Sequence, residues 1–131
     1  MELDHVGIAV RELDRSLTTW QRLLGPSDGP PEDVPSQNVR VAFLSAGSSH
    51  VELLEPTSSE SAVAKFLDKR GEGIHHLAFR VPSVDRELSG LVGRGEKVVD
   101  AVSRPGARGR RVGFAHPSAF GGVLVEFVEG P

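Results

Sequence analysis

His5-Val6-Gly7-Ile8-Ala9-Val10 and, 71 positions on, His76-Leu77-Ala78-Phe79-Arg80-Val81 read as one strand written twice. Each is a short, mostly apolar run that opens on a histidine. The same shift of 71 lays Asp14-Arg15 on Asp85-Arg86, Leu17 on Leu88, Arg40-Val41 on Arg111-Val112 and Phe43 on Phe114. With three more residues inserted, Val51-Glu52 meets Val125-Glu126 and Glu55 meets Glu129. Matches in this order, with one gap, mark two homologous halves.

Both halves share a local grammar. After the first strand, Leu13, Leu17, Trp20 and Leu24 recur at helical spacing, and Gly25-Pro26 stops a helix expected over about 12–24. In the second half the strand at 75–81 and Pro82-Ser83 lead into the stripe Val84, Leu88, Leu91. Three strand-like runs then follow in each half. They are a weak one near 27–34, Val39 to Leu44 and Val51 to Leu54, and then Lys97 to Val102, Arg111 to Ala115 and Val123 to Val128. Each half is therefore read as βαβββ, in an α+β chain. Module 1 covers about 1–57 and module 2 about 72–131, in a single domain of 1–131. Between them, about 58–71, Ser58-Ser59-Glu60 starts a short linking helix. Val63, Phe66 and Leu67 face one side of it, and Gly71 ends it. Gly29-Pro30-Pro31 and Arg104-Pro105-Gly106-Ala107-Arg108-Gly109 read as loops.

Composition narrows the chemistry. With 131 residues, 38% of them hydrophobic, one core can be buried. A net charge of −3 and few aromatics give no footprint for nucleic acid or an anionic membrane. There is no cysteine, so disulfides, thiol nucleophiles and thiolate metal sites are excluded. Met1-Glu2-Leu3-Asp4-His5 lacks a basic start and a long apolar run, so a cytoplasmic protein without a membrane span is expected.

The repeat then selects the loaded residues. His5 and His76 are equivalents near the start of each first strand. Glu52 and Glu126 are equivalents within each last strand. By alternation Glu126 shares a face with Leu124 and Val128, and Glu52 with Leu54. A carboxylate on an apolar face is costly unless its charge is compensated, and a divalent cation compensates it. A lone strand His or Glu is usually structural or solvent-facing. Four that coincide under one repeat operator point instead to a His2Glu2 metal set on Zn, Co, Ni, Mn or Fe. His75 should point away from His76. His50 and His116 have no repeat partner and read as structural or supporting. Arg104, Arg108, Arg110 and Arg111 form a basic stretch, read either as a solvated loop face or as contacts to an anionic ligand.

Asp4 to Val10, Val51 to Pro56, Ala64-Lys65-Phe66-Leu67, Gly71 to Phe79, Phe114 to Pro117 and Gly121 to Glu126 together resemble the methylmalonyl-CoA epimerases, over about residues 3 to 129. The resemblance implies the glyoxalase-like, vicinal-oxygen-chelate fold, with paired βαβββ modules forming a curved mixed sheet around a metal cleft. It implies metal ligands at His5, His76 and Glu126, with Gln or Glu at position 52, which here is Glu. It also implies an acyl-CoA thioester substrate and a homodimer. Some members carry a glutamate where this chain has Val41. The expected reaction removes the α-proton of (R)- or (S)-methylmalonyl-CoA and returns it on the other face through a metal-stabilised thioester enolate. One or both of Glu52 and Glu126 are expected to detach from the metal and act as base, Glu126 the stronger candidate. The alternatives are a glyoxalase I-like lyase or another thiol-adduct enzyme, a metal-free small-molecule binder of the same fold, and a ring-cleaving dioxygenase. The identity of the metal is not legible among Co, Zn, Ni and Mn.

Overall fold

The computed structural model describes residues 1–130, and they divide into two compact units. One is His5–His75. The other joins Met1–Asp4 to the residues from His76 onward.

In the first unit, strand β1 (Glu2–Ala9), whose residues up to Asp4 group with the second unit, leads into helix α1 (Leu13–Leu24), followed by β2 (Glu32–Val34), β3 (Val39–Ala46), β4 (Ser49–Pro56) and helix α2 (Ala62–Arg70). The strands run in the order β2-β3-β4-β1. β1 is parallel to β4, while β3 is antiparallel to both β2 and β4. The apolar stripe of α1 packs on this sheet, with Leu13 and Leu17 meeting Val10, Ala42, Leu44 and Leu53. A fully buried leucine such as Leu13 contributes about 1.5–3 kcal/mol in this way. The linking helix starts later than its serines suggested. Ser61, rather than Ser58, supplies the cap by accepting from the Val63 amide. Gly71, at φ 75°, ends it.

In the second unit, β5 (Gly73–Val81), which begins in the first unit, precedes α3 (Val84–Gly93), β6 (Arg104–Pro105), β7 (Arg111–Ala115) and β8 (Val125–Glu129). The order is β6-β7-β8-β5, with β5 parallel to β8 and the rest antiparallel. This is the first unit's pattern advanced by four strands, so βαβββ is observed twice. Val84, Leu88 and Leu91 form the buried stripe of α3. Gly113 lies beneath it, where a Cβ would come within 2.8 Å of Leu88 Cδ1 and 2.9 Å of Val84 Cγ1. Its repeat equivalent is the small Ala42 under α1.

The repeat also explains Glu55 and Glu129. Glu55 Oε2 accepts from the Leu13 amide at 2.8 Å, and Glu129 Oε2 accepts from the Val84 amide at 3.0 Å. Each carboxylate thus reaches from the last strand of its unit to an orphan N–H at the start of the helix.

One expected element is corrected. Lys97 to Val102 is not a strand; it makes a single isolated bridge, Val98 to Ala115. The carboxylate of Asp100 accepts from the Phe114 amide at 2.9 Å, and that of Asp85 from the Ser103 amide at 2.6 Å. The Asp100 side chain thus takes a β7 donor that a backbone ladder would need. The short strand comes later, at Arg104–Pro105, inside the run read as a loop. Among the described residues no helix is long and apolar enough to cross a membrane.

Candidate metal centre

In the first unit His5 sits on β1 and Glu52 on β4. Their strands are parallel, and Glu52 stands beside Gly7, two residues on from His5. Two residues along a strand return to the same face, so the side chains meet, with His5 Nε2 3.1 Å from Glu52 Oε1. Both residues are buried, at 3% and 5% exposure. Phe43 lies opposite Glu52 on β3, and its ring meets the His5 imidazole edge-on, 5.6 Å between centroids at 89°.

The second unit repeats this atom for atom. His76 is on β5, Glu126 on β8 beside Ala78, and Phe114 opposite Glu126 on β7. His76 Nε2 lies 3.2 Å from Glu126 Oε1, at 1% and 3% exposure. The His76 and Phe114 rings cross at 83° with centroids 5.5 Å apart. The structure therefore brings the four predicted residues together as two equivalent His–Glu pairs. The Phe43 and Phe114 rings are additions. Their coincidence under the repeat is visible in the sequence, but their contact with the imidazoles is not.

The donor set fits a divalent metal. All four residues are buried and of types that could hold one. Imidazole nitrogen and carboxylate oxygen, paired at 3.1 and 3.2 Å, are donors that suit a divalent transition metal. Glu52 is flanked on its face by Leu54, and Glu126 by Val128, each 1% exposed, so neither carboxylate has water to spread its charge into.

The other histidines stand apart. His75 packs edge-on against Phe66. His50 pairs with Asp28 at 3.0 Å and meets the Phe43 ring, a supporting place next to His5. His116 Nδ1 accepts from the Ser118 amide and caps a short turn. The basic stretch is more engaged than a solvated loop. Arg104 pairs with Asp100 and lies 5.7 Å from the Phe114 ring centroid, Arg110 pairs with Asp4, and Arg111 donates to the Ser103 carbonyl. Val41 is buried, opposite Leu54 on one side and Glu32 on the other.

Comparison with known proteins places this geometry. The model of the Glyoxalase/Bleomycin resistance protein/Dioxygenase superfamily matches residues 4–114. The mitochondrial methylmalonyl-CoA epimerase of Bos taurus is 35% identical over 125 residues, spanning 95% of this chain and 71% of the bovine one. The chain belongs to the methylmalonyl-CoA epimerase family of that superfamily. A solved family member, the methylmalonyl-CoA epimerase of Mycobacterium tuberculosis, is 39% identical with a TM-score of 0.90, covering 98% of this chain and 87% of that one. A Streptomyces coelicolor methylmalonyl-CoA epimerase variant in complex with 2-nitronate-propionyl-CoA is 36% identical with a TM-score of 0.93, covering 99% and 94%. The fold is thus the glyoxalase-like fold of this family, built from the paired βαβββ modules read from the repeat.

Proposed function

We propose that the chain interconverts (R)- and (S)-methylmalonyl-CoA. The observation that carries this reading is the twin buried His–Glu pair, in a chain whose relatives are named for that reaction. His5, Glu52, His76 and Glu126 would hold one divalent cation, and the two units would work as a single domain around it. When bound, the cation supplies Lewis acidity that favours negative charge on the substrate's thioester oxygen.

The remaining work falls to the chain's own groups. The α-proton must leave from one face of the carbon and return on the other, which calls for two proton-carrying groups. The repeat supplies two equivalent carboxylates, Glu52 and Glu126, and Val41 cannot be a third. Glu126 is the principal base. Its neighbours Phe114 and Val128 are buried and keep water from the carboxylate. The imidazoles of His5 and His76, braced by phenyl edges, hold the site's shape while a carboxylate exchanges its proton. A homodimer in the cytoplasm completes the reading. The lyase, metal-free binder and dioxygenase alternatives share the superfamily, but the more specific relatives are named for the epimerase.

The discriminating assay offers two substrates to the metal-loaded protein. Interconversion of the methylmalonyl-CoA epimers, with no turnover of a glutathione–methylglyoxal adduct, is expected. The reverse preference would replace this reading with the glyoxalase one.

A further inference from the structure

Asp4 is 3% exposed, yet it is a carboxylate. Arg110 grips it with two parallel bonds, Nη1 to Oδ1 at 3.0 Å and Nη2 to Oδ2 at 2.7 Å. Arg80 Nε donates to Oδ1 at 3.1 Å, and Arg80 Nη1 continues to Glu2 Oε2 at 2.6 Å. Removing such ions from water is costly, and their attraction does little more than offset that cost. A bidentate pair does fix geometry well, because two parallel bonds define both distance and orientation. The cluster therefore makes more sense as a device for position than as one for stability.

What it positions is the next residue. Asp4 and His5 are joined by a trans peptide, so their Cα atoms are about 3.8 Å apart. The boundary between the two units falls on this bond: Met1–Asp4 group with the unit that holds His76 and Glu126, whereas His5 groups with Glu52. Arg80 and Arg110 both belong to the unit of His76, the first on the same strand as His76. We infer that Asp4, clamped by Arg110 and Arg80, is a positioning residue that sets His5 in place for metal binding. It acts through the backbone and does not touch the cation. The inference rests on the reading of His5, Glu52, His76 and Glu126 as one metal set.

The test is Co2+ titration of the whole chain, against a competing chelator, with absorption spectra of the bound ion. Asp4→Asn keeps the shape and removes the charge. Arg110→Gln breaks the same clamp from its far side and leaves both Asp4 and the Arg80 bond in place. Each is expected to weaken Co2+ binding by about 10–100-fold, the size usual for groups that orient metal ligands, and to change the visible absorption of bound Co2+. Arg110→Lys, which keeps the charge without the two-pronged grip, should fall between them and the parent. If Asp4→Asn does not fold, Arg110→Gln decides. A folded variant with the parent's affinity and spectrum overturns the inference, even if its melting temperature falls. A parent chain that binds no Co2+ overturns the metal reading itself, and the inference with it.

Discussion

Glu126 lies opposite Phe114, 3.2 Å from His76 Nε2, and only 3% of it is exposed. A carboxylate so placed holds its charge only if something nearby answers it, and as the proposed base it would act with little solvent in the way. These are the requirements of a general base beside a cation. Glu126→Gln preserves volume and one acceptor oxygen and removes the basicity. Removing a general base costs about 10²–10⁴-fold in rate, so α-proton exchange should drop by that factor while metal remains bound. Exchange at the parent rate with metal bound would remove Glu126 from the reaction. The same physics separates the five histidines. His5 and His76 each face a buried carboxylate, while His50, His75 and His116 face Asp28, Phe66 and Ser118.

At the scale of elements, the two helices that follow β1 and β5 are tied to their sheets by equivalent carboxylates. Glu55 caps α1 and Glu129 caps α3. Loss of a helix cap costs about 0.5–2 kcal/mol, so Glu55→Ala and Glu129→Ala, which remove the accepting oxygen, should each lower unfolding free energy by about that much in urea. The caps lie in separate units with no shared partner, so the double variant should lose the sum. A double variant no worse than either single one would contradict this. Such elements were legible where periodicity was strong. The helix expected over 12–24 is observed at Leu13–Leu24, and β7 falls at the expected Arg111–Ala115. Lys97 to Val102 has strand composition but is no strand, because the Asp100 carboxylate takes the Phe114 amide of β7 that a ladder would need, a contact that no residue pattern announces.

For the whole molecule, the repeat explains why so much of the site could be read before its structure. Four residues fell into two equivalent pairs because the halves align, and the structure then builds each pair with the same strands, the same aromatic neighbour and nearly the same distance. The Asp4 clamp was not legible, since Arg80 and Arg110 are 76 and 106 residues away and break the repeat rather than follow it. The central claim is that the twin pairs make one metal-dependent site for proton exchange at the α-carbon of a CoA thioester. Deuterium wash-in tests it most directly. (R)- and (S)-methylmalonyl-CoA are incubated in D2O with metal-loaded and with chelated protein, and the label at the α-carbon is followed. Rapid incorporation from either epimer, with interconversion, is expected, and chelation should abolish it and added metal restore it. No incorporation by protein that still holds its metal would contradict it.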